Sequence, residues 1–140
     1  MTDAMQMARA VRGAGGPSLH GRGTHDPRRA MTTLSERAWF HARVWRGACS
    51  VIELSGELDL AGAPVLESAA RDLDLPTVRA VVLDLRGLVF IDAAGLNAVL
   101  ELYAQCASVA TVLTIIPGPR SVQRLFELTR LDRLLPFSHP

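Results

Sequence analysis

Apolar residues along this chain recur with two different periods, and each change of period marks an element. Phe40–Trp45 and Cys49–Leu54 read as short strands joined at Gly47, the first at a sheet edge and the two together as a hairpin. Pro64 then stands where the first turn of a helix accepts proline, and Leu66, Ala69, Ala70 and Leu73 follow at helical spacing. Ala80-Val-Val-Leu-Asp-Leu85 is a mostly apolar run of the kind found in strands buried on both faces. After it, Asp92 is positioned to cap a helix whose Leu96, Val99, Leu100, Tyr103, Cys106 and Ala107 form one inward stripe. Its opposite face carries Ala93, Asn97, Glu101 and Ala104, with Ala94 and Ala98 flanking. Thr111–Ile116 reads as another strand. Pro117-Gly-Pro119 breaks the chain and starts a third helix with Val122, Leu125 and Phe126 inward, and Leu134–Phe137 is a last strand or a packed tail.

The order β-β-α-β-α-β-α predicts an α/β fold: a mixed, mostly parallel β-sheet of four to five strands, with three or four helices packed mainly on one face. The first 30 residues are rich in Gly, Arg and Pro and have no sustained periodicity. Residues 1–35 are therefore expected to form a disordered N-terminal tail and residues 36–140 the single domain.

Composition narrows the function classes. At 140 residues and 49% apolar content there is material for one domain with a real core. No stretch reaches the roughly 18 apolar residues of a membrane span, and Met1–Ala14 lacks the apolar centre of a signal peptide, so a cytoplasmic protein is expected. Five arginines and two aspartates precede Met31, whereas the remainder has ten arginines against twelve acids and no lysine. The domain is slightly acidic, without the basic face of direct nucleic-acid binding. Cys49 and Cys106 lie in apolar contexts and are expected as free thiols. His20, His25, His41 and His139 are scattered, so no metal or cofactor is expected.

Three short segments carry candidate chemistry. Ser55-Gly-Glu-Leu-Asp59 reads as a turn in which Asp59 accepts backbone N–H bonds. Asp84 ends a buried strand and is expected to be structural. Gly95 in the first helical turn costs about 1 kcal/mol relative to alanine, which points to a close approach there. Glu57, Asp59, Asp84 and Asp92 all stand near strand ends, where α/β proteins put their sites. Neither a nucleophile nor a phosphate-binding loop accompanies them, so no catalytic residue and no enzyme are expected.

Taken together, Leu54-Ser-Gly-Glu-Leu-Asp59, Val82-Leu-Asp-Leu85, Phe90-Ile-Asp-Ala-Ala-Gly-Leu96 and Val122-Gln-Arg-Leu-Phe126 resemble the STAS domains of bacterial anti-sigma-factor antagonists, over roughly Ala38 to Phe137. The resemblance implies a protein-binding regulator, a monomer or weak dimer, whose partner is a kinase-like anti-sigma factor. In that family the antagonist binds the anti-sigma factor and frees the sigma factor. The partner then phosphorylates a Ser or Thr directly after the Asp at the helix start. By this likeness the partner-binding residues would be Asp59, Asp92, Ala93, Ala94 and Gly95, to which the exposed helix face adds Asn97. A phosphate brings about −1.5 to −2 charges, which a free helix N-terminus tolerates and a docked interface does not.

Here the chain departs from the family pattern. The acceptor position is Ala93, the next residue is Ala94, and no Ser or Thr occurs between Val78 and Ala107. Such a protein is either a permanently unphosphorylated antagonist or a STAS scaffold, transport-associated or small-molecule-sensing subunit. Two alanines are also simply good helix formers.

Overall fold

In the computed structural model of the chain, the described residues are 40–138, the backbone of Met31–Thr33, and Gln6. The expectations for the rest of the tail, and for His20, His25 and His139, lie outside the described residues. Five strands, β1 (Met31–Thr33), β2 (Phe40–Trp45), β3 (Cys49–Leu58), β4 (Ala80–Ile91) and β5 (Val112–Ile116), form one sheet in sequence order. β1, β2 and β3 pair antiparallel, and β3, β4 and β5 pair parallel, the longest shared edge being that of β3 with β4. β2 was expected at the sheet edge but is interior, because β1 pairs outside it. The hairpin turn at Gly47 is closed by Ser50, whose Oγ donates to the Gly47 carbonyl at 2.8 Å and accepts its N–H at 3.1 Å.

Helices α1 (Ala63–Asp72) and α2 (Ala93–Ser108) make the two parallel crossovers, and α3 (Arg120–Leu128) follows β5. Alternation along the strands turns Phe40, Ala42, Val44, Ile52, Leu54, Val81, Leu83, Leu85, Leu113 and Ile115 to one face. Leu66 of α1, Leu102 of α2, and Val122 and Phe126 of α3 join them in a single core, so all three helices cover that face. Beyond β5 the Leu134–Phe137 segment makes one parallel bridge, Ile115 to Phe137, whose ring meets Phe126 edge-on at 5.1 Å. No helix among the described residues is long and apolar enough to cross a membrane.

Two strands run further than expected. β3 does not turn at Ser55 but continues to Leu58, and β4 passes Leu85 to reach Ile91. Their register slips twice: Glu53 faces Asp84 but Ser55 faces Gly87, and Gly56 faces Leu88 but Glu57 faces Phe90. Each slip inserts one extra residue into β4, a β-bulge, and Gly56 supplies the positive φ of 94° near the second. The burial of β4 consequently changes from an unbroken buried run to every third residue, with Leu85, Leu88 and Ile91 inside and Val89 and Phe90 in water.

The inward stripe of α2 is also corrected. Leu96, Val99 and Cys106 are buried as expected, Leu100 and Tyr103 are half-buried, and Ala107 is exposed. Leu102 and Ala98 take up the burial instead, because α2 packs on α1 as well as on the sheet. Ala98 therefore lies against a neighbour and not on the free face.

Candidate functional site

The parallel register of β3 and β4 sets Leu58 opposite Ile91, so the next residues, Asp59 and Asp92, leave the sheet side by side. Each carboxylate accepts backbone N–H groups, Asp59 in the turn that leads into α1 and Asp92 at the start of α2 itself. Asp59 Oδ1 accepts the N–H groups of Ala61 and Gly62, both at 3.0 Å, and its carbonyl accepts from Gly62 and Ala63. The turn into α1 is thereby fixed, with Pro64 in the first helical turn where its missing N–H costs nothing. Asp92 is the N-cap of α2: its backbone is extended, and its Oδ1 accepts the Gly95 N–H at 3.0 Å.

The two helix starts are tied together through Leu58. Its carbonyl oxygen accepts the Asp92 N–H at 3.3 Å. A β-carbon on Gly95 would run into that same oxygen and come within 2.8 Å of the Leu58 Cγ. Only glycine lets the first turn of α2 settle this closely on the end of β3. Ala93 and Asn97 are consequently held on the exposed side of α2, Ala94 half-buried beside them, and Gly95 buried beneath.

All six residues expected at the site thus gather at one corner of the domain. Asp84 does not join them. It lies on the opposite face of the sheet, 1% exposed, across from Glu53, and its carboxylate holds Arg86 through Nε at 3.0 Å and Nη2 at 2.8 Å. That bidentate pairing raises the pKa of the Arg86 guanidinium further. The four carboxylates therefore form no acid/base cluster. Among the described residues no group of His, Cys, Asp and Glu could hold a metal ion.

Sequence reasoning missed the α1 side of this corner. Between α1 and α2 runs a shallow groove of about 210 Å³, lined by Leu60, Ala63, Pro64 and Glu67 opposite Ala94, Asn97, Ala98 and Glu101. Leu60 stands at its mouth with 76% of its surface in water. The one available signal was Leu60 itself, an apolar residue in a polar turn that fits neither neighbouring period. The site offers a firmly capped, mostly uncharged helix start, a partly apolar groove and two carboxylates committed to their own backbone. Such an arrangement can bind a surface.

A family model described as "Mlab, STAS domain" matches residues 41–136. Among solved structures, an anti-sigma factor antagonist from Mycobacterium paratuberculosis is similar with a TM-score of 0.66 and 27% identity, covering 76% of this chain and 92% of that one. A putative anti-sigma factor antagonist from Thermotoga maritima shares the fold at 22% identity, with a TM-score of 0.56 and 64% and 80% of the two chains covered. Unphosphorylated SpoIIAA, an antagonist from Bacillus, does so at 18% identity, with a TM-score of 0.55 and 79% and 89% covered.

Proposed function

We propose, on the premise that this chain belongs to the STAS domain family, that it is an anti-sigma-factor antagonist which cannot be switched off by phosphorylation at the start of α2. The observation that carries this reading is the neutral, exposed Ala93 at a helix start locked by the Asp92 cap and the Gly95–Leu58 approach. A surface held that firmly loses little freedom on docking, so more of the contact energy remains as affinity. Support for the partner class comes from the antagonist of Mycobacterium paratuberculosis, which the chain matches over nearly all of that protein's length.

The partner is then a kinase-like anti-sigma factor, bound through Asp92, Ala93, Ala94, Gly95 and Asn97 and the Asp59 turn. Asp92 and Asp59 shape the surface, and the small side chains between them let the partner come close. Binding sequesters the anti-sigma factor and releases its sigma factor. No nucleic-acid contact and no cofactor enter this scheme, and the protein turns over no substrate.

A pull-down from the native cell with the full chain as bait, read by mass spectrometry, tests it. Recovery of a kinase-like anti-sigma factor, lost when the bait carries Ala93→Asp, is the expected result. Recovery of transporter or scaffold subunits alone would overturn it in favour of a STAS subunit of a larger assembly.

A further inference from the structure

Two hollows, each partly apolar, flank the Ile91–Ala94 corner, and their borders carry opposite charge. The first is the α1–α2 groove, bordered by Glu67 and Glu101 with no cation in its lining. The second, about 230 Å³, lies between the end of β4 and α3; Phe90, Leu125 and Leu128 line it, Arg124 borders it, and no acid does. Each mouth holds a leucine left in water, Leu60 at 76% exposure and Leu128 at 69%. Glu67, Glu101 and Arg124 form no ion pair among the described residues.

We propose that the two hollows are the halves of one self-complementary interface, through which a second copy of this chain docks about a two-fold axis. Glu67 and Glu101 of one copy face Arg124 of the other, and Leu128 enters the groove beside Leu60. Two-fold symmetry repeats each contact, so a weak pairing of surface charges and exposed leucines acts twice. The charges fix the register and reject the alternatives, since rotating one copy would set like borders together. The two hollows open beside the same corner, so both can belong to one patch that meets its own copy about a two-fold axis.

Ala94 and Asn97 line the first hollow and Ala93 adjoins them, so self-association covers the surface assigned above to the anti-sigma factor. This consequence rests on that assignment. The antagonist is then regulated by its own concentration, the dimer being the silent form, in place of the missing phosphate.

Sedimentation of the purified 140-residue chain alone, over a concentration series at low and high salt, tests the interface without any partner. A reversible dimer weakened by salt is expected. Glu67→Arg or Arg124→Glu should each weaken it at least about tenfold, and the double variant should return to within about threefold of the wild type. A monomer at every concentration, singles that dimerise normally, or a double variant no better than the singles would each overturn the proposal. Because no partner is present, these outcomes are independent of whether an anti-sigma factor binds. In a capture assay with that factor, Arg124→Glu should reach half-saturation with less antagonist than wild type. Equal capture by a demonstrably monomeric Arg124→Glu would overturn the concentration switch.

Discussion

The carbonyl oxygen of Leu58 occupies the place where residue 95 would carry a β-carbon. It also accepts the amide of Asp92, so one backbone atom of β3 sets both the height and the angle of α2.

Gly95→Ala sets two effects of opposite sign against each other. Helix propensity favours alanine by about 1 kcal/mol, while the collision with a backbone oxygen that cannot rotate away costs about 1–3 kcal/mol or more. The collision should win, lowering the melting temperature by several degrees and weakening partner capture together. A thermal melt decides: a variant more stable than wild type would show that α2 does not sit on β3 as described.

Ala93→Asp should leave stability unchanged or slightly higher, because a carboxylate at a helix N-terminus is favourable in the free protein. Docking must strip that carboxylate of water, so affinity for the anti-sigma factor should fall at least about tenfold. Calorimetric titration checks it, and unchanged affinity would remove this corner from the interface. Ala93→Ser should accept phosphate from an active kinase partner and ATP; absence of incorporation would count against equating residue 93 with the family's acceptor.

α2 ends with Ala110 at a φ of 59°, its N–H reaching the Ala107 carbonyl and that of Thr111 reaching Cys106. This is the Schellman closure, where glycine normally stands. Alanine there bears a left-handed strain of about 1–2 kcal/mol, so Ala110→Gly should raise the melting temperature despite the greater freedom glycine gives the unfolded chain. A lower melting point would mean that unfolded-state entropy outweighs the relief of strain.

Burial pushes the Cys106 thiol up to about 11, against about 9 for an exposed one. A pKa raised on folding means that the folded state keeps its proton longer. Stability from this group is therefore complete below pH 9 and is lost as pH rises from there to 11, by about 2–3 kcal/mol. Denaturant midpoints over that range should fall less steeply for Cys106→Ala than for wild type; parallel slopes would refute the assignment. Thiol reagents at neutral pH should modify Cys106 only when the domain opens.

The helix starts were legible because capping chemistry is local: Asp92 and Gly95 announce themselves within four residues of sequence. The strand ends were not. Leu85, Leu88 and Ile91 are spaced by three, which no regular strand allows, and only the two slips against β3 explain the spacing. Ser55–Asp59 looked like a turn because of Gly56 and Asp59, yet Gly56 continues the strand opposite Phe40 of β2. The α1–α2 groove depends on how two helices meet across a sheet, and a position such as Glu67 carries no trace of that in its own neighbourhood.

Those two slips also make the second half of β4 a counting device. Six steps separate Leu85 from Ile91, and that number alone decides that Phe90 meets water and Asp92 meets the amides of α2. The side chain at position 89 can vary without disturbing the core, since Val89 is largely exposed. The number of residues cannot. Removing or adding one between Leu85 and Ile91 would turn Phe90 or Asp92 toward the core and uncap α2. Relatives that keep this corner should accordingly accept replacements at position 89 and no change of length.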